Sequence, residues 1–486
     1  MRRTLLFLVT AALAVAAPAA AFTPENALAP RQWYLQDDHA FDAWPTAPPT
    51  NLQPVKVAIV DSGLDCALPD FAGRLLAEKT FVGGSPCVDT EGHGTFVAGE
   101  IAADLGTQGI VGIAYTAQLL IAKVVTPDGD IPLAAEAAAI RWAVDNGARV
   151  INLSLGGVRD LKDLHQDTYS ALEAQAIAYA YSHGAVLVAA VGNGDEAPSQ
   201  PWPYASYPAA LPHVIGVSAL TRTGNVPDFS NRDPVFNDLS APGVAIFSTF
   251  PSALTALHTG CPDQGYSDCG SDDYRNAEGT SFAAPQVSAA AAVLLAVDPV
   301  LTNSQVGFLL ERTADDVNAT NGCGRCGLLR DPLSGWGRLD VAKAVEALAG
   351  PLPPADAYEA NDDAGTGAWT VWGKKDKLTA TIDYWDDPTD VYRIKLELRE
   401  RLHVQLAAAT GGASLALELW RPGTVHVDTA ASQKLLAASS TTPTLSFRAP
   451  RSGWYYLEVK AASEGFTPYT LTLSKTATGS PGAPRH

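Results

Sequence analysis

The sequence predicts an α/β domain with a mostly parallel sheet and helices on both faces, followed by a small all-β sandwich. Two observations predict this fold. Between residues 55 and 350, short apolar β-rich runs alternate with helical stretches, a pattern typical of a parallel sheet covered on both faces. After a proline-rich break at residues 351–355, polar and apolar residues alternate with the period of half-buried antiparallel strands.

Residues 1–21 are expected to form a signal peptide. Arg2 and Arg3 precede an apolar run at residues 5–17, and the small residues 19–21 fit a cleavage site. The apolar run is too short to span a bilayer comfortably, so we expect removal of the segment and no membrane anchor afterwards. The mature protein is therefore expected to be secreted, either to the extracellular space or to the periplasm.

The charge of the chain argues against some classes of partner. The sequence has 52 acidic and 33 basic residues, a formal net charge of −19. An acidic protein is poorly suited to bind nucleic acid or an anionic membrane, so neither is expected as a partner. We expect a monomer.

The cysteines predict disulfides. There are six, and an even number in an exported chain favours three bridges. Pairing of sequence neighbours predicts 66–87, 261–269 and 323–326, although six cysteines allow other pairings. The spacing of Cys323 and Cys326 would also suit half of a zinc site, but no second Cys or His pair follows them.

The predicted catalytic domain covers residues 22–350. Its expected strands are residues 55–60, 119–125, 150–155, 185–191 and 213–217. Expected helices at 134–146 and 168–183 end near Gly147 and Gly184, and glycine is a common helix stop. In such sheets a ligand binds at the carboxyl ends of the strands, and the polar residues of interest follow predicted strands.

Four polar residues are candidates for chemistry. Asp61 follows the first strand and, taken alone, fits a turn. His93 lies between two glycines at a predicted helix start, and Ser281 precedes an apolar helix whose N-terminal N–H groups suit a developing oxyanion. Pro285 lacks an N–H, which leaves the Ser281 carbonyl without its usual helical partner. Asn193 ends another strand, where its amide fits either a turn or an oxyanion hole.

Together these segments resemble the subtilase family of serine proteases. The resemblance rests on VAIVDSG at 57–63, HGTFVAG at 93–99 and GTSFAAP at 279–285, and it extends from about residue 32 to 348. The order Asp, His, Ser is the one known for subtilisin. The resemblance implies that Asp61, His93 and Ser281 form a catalytic triad, with Asn193 in the oxyanion hole.

The resemblance also implies a substrate and its binding segment. Residues 151–157 look like the strand that pairs with an extended peptide, so Ser154, Leu155, Gly156 and Gly157 are expected to bind polypeptide substrates. The expected activity is secreted serine endopeptidase. Two alternatives remain: a binding protein that kept the fold and lost catalysis, and an esterase that uses the same triad.

The chain departs from the family pattern at two positions. The residue after the nucleophile, often Met in the family, is Phe282. A family calcium site uses the aspartate matched by Asp70 and a loop matched by 104–110, but Gly106 stands where a side-chain ligand is expected. The chemistry is expected to need no cofactor, and Asp70 is the candidate ligand of a structural calcium ion.

The C-terminal part resembles the bacterial pre-peptidase C-terminal domain. The resemblance rests on residues 356–362, 390–392 and 453–457, and it implies a β-sandwich over 356–475 with a flexible tail at 476–486. Calcium is an alternative for one acidic group, but a solvated loop is the preferred interpretation. The group comprises Asp383, Asp386, Asp387 and Asp390.

Overall fold

The computed structural model describes residues 22–49, 51–194, 197–257, 273–427, 429 and 432–476. Three predictions fall outside these residues: the signal peptide, the tail beyond residue 476 and the bridge between Cys261 and Cys269. The statements below concern the described part of the chain.

The first part of the structure is built on a parallel sheet of seven strands. Their spatial order is β2-β3-β1-β4-β5-β6-β7, and every neighbouring pair is parallel. The strands are β1 Lys56–Asp61, β2 Leu75–Thr80, β3 Gln118–Lys123, β4 Val150–Leu153, β5 Val186–Ala190, β6 Val214–Leu220 and β7 Leu239–Pro242. The fold-class prediction is confirmed.

Helices cover both faces of this sheet. They are α1 Tyr34–Asp37, α2 His93–Ala102, α3 Leu133–Asp145, α4 Ala171–Ser182, α5 Ser252–Leu257, α6 Ala284–Val297, α7 Asn303–Arg312 and α8 Val341–Ala347. Alternate residues of β1 point to opposite faces, as the strand period requires. Val57 and Ile59 pack in the core that contains α2 and α6, whereas Ala58 and Val60 pack in the core that contains α3 and α4.

Helix α6 is buried because it is apolar on almost every side. With the turn before it, the stretch Thr280–Val297 is long and apolar enough to cross a membrane, yet 89% of it is buried inside the protein. This is the behaviour of a core helix. Its burial places the preceding turn, which contains Ser281, against the carboxyl ends of the strands.

A strand pair and two disulfides complete the first part. An antiparallel pair, β8 Ile246–Thr249 and β9 Tyr274–Ala277, packs beside α2. Disulfides join Cys66 to Cys87 and Cys323 to Cys326. Both bridges confirm the predicted pairing of neighbours, and the bond between Cys323 and Cys326 rules out the alternative of a zinc half-site.

The second part is a β-sandwich. One sheet has the order β10-β12-β17-β14-β15 and the other has the order β11-β18-β13-β16, and a shared apolar core lies between them. The strands are β10 Trp369–Val371, β11 Lys375–Asp383, β12 Thr389–Leu396, β13 Arg401–Ala408, β14 Leu415–Trp420, β15 Leu436–Ser440, β16 Thr444–Arg448, β17 Gly453–Ala461 and β18 Phe466–Thr476.

The two parts contact each other through α7. Phe308 packs on Phe466 of the sandwich with ring centroids 5.0 Å apart. Arg312 donates a hydrogen bond of 2.7 Å to Asp383 while its guanidinium covers the ring of Trp336 at 3.7 Å. The charge of Arg312 is therefore paired and shielded at the junction.

The acidic group of the sandwich is not a solvated loop. Asp383 and Asp387 are each 8% exposed and Asp390 is fully buried, so the preferred interpretation is wrong for these three residues. Only Asp386 retains intermediate exposure. Asp383, at the end of β11, is covered at the junction by Arg312, whereas Asp390, in β12, is buried inside the sandwich and accepts a hydrogen bond from the hydroxyl of Tyr469.

Candidate active site

The predicted catalytic residues meet in one cleft at the carboxyl ends of the parallel strands. The cleft has a volume of about 320 Å³. Asp61, His93, Asn193 and Ser281 all line it, and so do the four predicted substrate-binding residues. Asp70 does not. A parallel sheet brings the ends of distant strands to the same edge, which explains why segments far apart in sequence converge here.

Asp61 and His93 form the best-defined contact of the cleft. Asp61 is the last residue of β1 and only 3% exposed. Nδ1 of His93 lies 2.8 and 3.0 Å from the two oxygens of its carboxylate. This contact fixes the ring so that Nε2 is the nitrogen left for other partners.

Gly94 permits this contact. A Cβ atom at position 94 would lie 2.3 Å from the carbonyl oxygen of Gly63. Only glycine therefore lets the start of α2 approach the end of β1 so closely. Steric crowding against Gly63 therefore explains why a glycine follows His93 in the sequence.

Asp89 orders the loop that carries His93, and the sequence reasoning did not identify it. It is 4% exposed. Its carboxylate accepts hydrogen bonds from the backbone N–H of Gly92 at 2.8 Å and of Thr95 at 2.9 Å, and from the hydroxyl of Ser62 at 2.8 Å. The signal was present, because an aspartate shortly before a helix start is a common cap.

Nearby carboxylates raise the pKa of the His93 imidazole. Burial by itself lowers the pKa of His93, because it disfavours the charged ring. The negative charges of Asp61, Asp89 and Glu91 outweigh this effect, so the net pKa lies above its usual value. The cleft therefore favours the imidazolium that a general base forms when it accepts a proton.

Ser281 lies in a short 3₁₀ turn, Thr280–Phe282, just before α6. Its carbonyl accepts a hydrogen bond of 2.7 Å from the hydroxyl of Ser154, as Pro285 cannot supply an N–H. Among the described residues, no hydrogen bond joins the Ser281 hydroxyl to His93. Such contacts are often long in the absence of substrate.

The turn around Ser281 is tied to a buried polar chain. The hydroxyl of Ser288 on α6 donates to Asn152 at 2.8 Å, and the Asn152 amide donates to Ser154 at 2.9 Å. Ser154 completes the chain to Ser281. Strand β4, the loop after it and helix α6 thus hold the position of the turn together.

Asn193 presents its amide nitrogen to the cleft. Its Oδ1 atom accepts hydrogen bonds from the backbone N–H of Thr280 at 2.8 Å and from the Thr280 hydroxyl at 2.9 Å. Within the described part of the chain, neither its NH₂ group nor the N–H of Ser281 has a protein acceptor. These two free donors have the chemistry of an oxyanion hole.

The predicted substrate-binding segment follows β4. The N–H of Gly157 donates to the carbonyl of Tyr207 at 2.9 Å, and the N–H of Tyr207 donates back at 3.0 Å. Gly156 is exposed, and its backbone groups have no partner among the described residues. Gly156 is therefore the position of the segment at which an extended chain can add a strand.

Phe282 forms an aromatic wall behind the histidine. Its ring centroid lies 5.3 Å from that of His93 and 4.4 Å from that of Phe96. Phe282 is 3% exposed. The wall keeps water away from one side of the imidazole.

Asp70, the candidate calcium ligand, lies outside the cleft, and both oxygens of its carboxylate accept hydrogen bonds. One carboxylate oxygen accepts a hydrogen bond from the Ile110 N–H at 3.3 Å, and the other accepts one from the Tyr274 hydroxyl at 3.0 Å. Gly106 offers no side-chain oxygen. Burial raises the pKa of Asp70, although the hydrogen bonds from Tyr274 and Ile110 oppose this, so the site favours a proton more than an exposed carboxylate does.

Acidic groups elsewhere have the donor chemistry of a calcium site. In the sandwich, carboxylate oxygens of Asp356, Glu359, Asp387 and Asp390 all lie within 4.8 Å of one another. Several such oxygens at close range are the ligands that Ca²⁺ prefers. None of these four residues lines the cleft.

Comparison with known proteins gives a consistent result. Residues 53–329 match the model of the subtilase family. The chain is 35% identical over 264 residues to Subtilisin DY from Bacillus licheniformis, which covers 54% of this chain and 84% of the relative. It is 33% identical over 303 residues to Thermitase from Thermoactinomyces vulgaris, with 62% and 94% covered.

A solved structure is also similar. It is that of a protease from Pseudoalteromonas arctica, and it matches with a TM-score of 0.52 and 25% identity. The match covers 67% of this chain and 99% of the other.

Proposed function

Because the chain belongs to the subtilase family and is a serine endopeptidase, we propose that Asp61, His93 and Ser281 are its catalytic triad. The contact between Nδ1 of His93 and the Asp61 carboxylate carries this proposal. It leaves Nε2 as the base, in the cleft that Ser281 also lines. The substrate class is polypeptide.

The proposed mechanism uses only groups of the chain. The Ser281 hydroxyl attacks the scissile carbonyl while His93 takes its proton, and His93 later returns the proton to the leaving amine. Asp61 holds the tautomer and stabilises the imidazolium. Subtilases typically need no cofactor for this chemistry.

The developing negative charge has two proposed donors. The N–H of Ser281 and the NH₂ group of Asn193 would bind the oxyanion, since both lack another acceptor among the described residues. The peptide would lie extended beside Ser154–Gly157 and pair with the free backbone of Gly156. This geometry favours peptides over small esters, although an ester with the same carbonyl would also react.

The triad is tested with Ser281→Ala. Loss of the nucleophile costs about 10⁶ in kcat in subtilisin, the enzyme from which this magnitude is taken. We expect the variant to lose casein hydrolysis and labelling by a serine-directed phosphonate. Ser439→Ala, which changes an exposed serine in β15, is the control and should keep both. Near-normal turnover by Ser281→Ala would refute the assignment.

The same assay separates the alternatives. A protease cleaves both casein and a short ester, an esterase cleaves only the ester, and a binding protein cleaves neither. The comparison needs only the wild-type chain with Ser281→Ala as the blank.

We also propose that the protein is secreted after removal of residues 1–21. The homology to subtilisins supports export. Phe22, the first residue after the proposed cleavage site, packs on Phe41 with ring centroids 5.9 Å apart. Mass spectrometry of the exported chain should find Phe22 at its N-terminus, and an N-terminus elsewhere would correct the cleavage site.

Residues 356–475 are proposed to be a separate domain of the pre-peptidase C-terminal type, joined by the linker 351–355. Two features support this: the sandwich has its own apolar core, and the proposed triad lies entirely before the linker. The resemblance of residues 356–362, 390–392 and 453–457 supports the type.

A further inference from the structure

The loop 104–110 has the shape of a cation cradle. The carbonyl oxygens of Asp104, Gln108 and Ile110 converge on a single atom, at 3.0, 2.7 and 2.7 Å. That atom is Nδ2 of Asn26, which comes from the N-terminal segment. Converging carbonyl dipoles repel one another unless something positive lies between them.

We propose that the Asn26 side-chain amide takes the place of a calcium ion in this loop. The two N–H bonds of the amide supply the partial positive charge that the three carbonyl oxygens require. The inference is independent of the proposed function, because it concerns the attachment of the N-terminal segment and not the cleft.

The orientation of the amide is set by its neighbours. Oδ1 of Asn26 accepts a hydrogen bond of 3.0 Å from the N–H of Gly106. If the amide were rotated by half a turn, an oxygen would face the three carbonyl oxygens and the Gly106 N–H would lose its acceptor. The hydrogen-bond network therefore selects the orientation in which nitrogen fills the cradle.

Burial makes this contact important. Asn26 is 2% exposed, and the backbone around it also pairs with the loop. The N–H of Leu28 donates to Gly109 at 2.9 Å and the N–H of Ala27 donates to Thr107 at 3.3 Å. A buried carbonyl without a donor is costly, so the amide stabilises the loop without a metal.

Two further residues fit this interpretation. Asp70, the candidate calcium ligand, already accepts hydrogen bonds at both oxygens. Residue 106 is a glycine, which has no side-chain oxygen to bind calcium. The carboxylate of Asp104 is paired with Arg74, so the oxygens that converge on the Asn26 amide are neutral carbonyls, a weak set for Ca²⁺, which usually takes several oxygens including carboxylates.

The test measures amide hydrogen exchange of the loop with and without calcium. It uses the full mature chain carrying Ser281→Ala to prevent self-cleavage. In this background the loop 104–110 should exchange at the same rate in EDTA and in excess CaCl₂. The readout is local, so calcium bound by the acidic group of the sandwich does not disturb it. Protection of this loop by calcium would overturn the proposal.

A gain of calcium binding provides the second arm. Asn26→Asp places a carboxylate against three carbonyl oxygens, so the loop should exchange faster in EDTA. Calcium at ten times its Kd should slow this exchange about tenfold. If calcium leaves the variant unchanged, the loop is not a cation cradle and the proposal fails.

Asn303→Asp is the matched control. The Asn303 amide likewise donates to two backbone carbonyls, of Tyr181 at 2.8 Å and of Ala185 at 3.3 Å. Its replacement should weaken that region without making the loop 104–110 respond to calcium. A calcium response of the loop in this control would assign the effect to general destabilisation and contradict the proposal.

Discussion

The hydroxyl of Ser154 donates a 2.7 Å hydrogen bond to the backbone carbonyl of Ser281. It replaces the helical N–H that Pro285 cannot provide. The contact links the end of the proposed substrate strand to the residue proposed as the nucleophile. A side chain of the binding segment thus positions the reacting turn.

Ser154→Ala should lower kcat because it leaves that carbonyl without a donor. An unsatisfied buried carbonyl costs about 1–3 kcal/mol, and a strain of about 1.4 kcal/mol at the nucleophile corresponds to roughly a tenfold change in rate. Steady-state kinetics on a peptide substrate measures the effect, and thermal unfolding reports any change in stability. Ser154→Thr, which keeps a hydroxyl, should recover much of the rate. An unaltered kcat in Ser154→Ala would show that the turn does not need this bond.

Asn193→Leu should reduce kcat by roughly 10²–10³ with little change in KM, a magnitude known from subtilisin itself. The amide would act on the charge that develops in the transition state and not on bound substrate. Because Asn193 also accepts two hydrogen bonds from Thr280, Asn193→Asp is a useful comparison. The aspartate keeps an oxygen that can accept both hydrogen bonds from Thr280 but has no NH₂ group to donate to the oxyanion. Its kcat should therefore be as low as that of Asn193→Leu. Full activity in Asn193→Asp would show that Asn193 serves only in the turn and does not bind the oxyanion.

The pH profile should reflect His93, which must be neutral to act as a base. Since nearby carboxylates raise its pKa above the usual value of about 6.5, kcat/KM should rise with pH through an apparent pKa above that value. Glu91 is exposed and contributes to the rise. Glu91→Gln should move the acidic limb of the profile to lower pH. Glu25→Gln, an exposed carboxylate outside the cleft, is the control and should leave it in place. An enzyme most active near pH 4 would contradict the mechanism.

The cleft should resist peroxide. The only methionine of the chain is Met1, which leaves with the proposed signal peptide, and position 282 holds a phenylalanine. A sulfoxide beside the nucleophile would place a polar oxygen close to the proposed oxyanion site. Phe282→Met should therefore create sensitivity. Residual activity after equal peroxide exposure compares the two enzymes, and equal loss in both would show that position 282 does not control oxidation.

A fragment of residues 22–350 should cleave small peptides, because every residue of the proposed site precedes the linker. It should melt at a lower temperature than the full chain, since it loses the contacts of Phe308 with Phe466 and of Arg312 with Asp383. Arg312→Gln in the full chain tests the second contact separately. A folded fragment without small-peptide activity would mean that the sandwich helps to complete the site.

Much of the fold could be predicted because its signals are local. Apolar runs identified five of the seven parallel strands to within a few residues, and the helices ended beside Gly147 and Gly184. The strand β2 was missed because it is an edge strand whose residues are mostly exposed or half-buried, so it lacks a continuous apolar run. Strand β7 was missed because it is short and ends in Pro242.

Short motifs and their order were likewise sufficient to identify Asp61, His93, Asn193 and Ser281 as candidates, because the chemistry of each depends on its own strand end or helix start.

Tertiary structure decided what lies around these four residues. Asp89 caps α2, and Ser154 supports Ser281. Asp387, in the loop after β11 and expected in solvent, is buried. Asn26 reaches carbonyls 78 to 84 residues away in sequence. Periodicity and motifs record which face of an element is apolar and where it ends. The partner of a buried polar group depends on which distant segments the fold brings within 3 Å, and no local pattern contains that information.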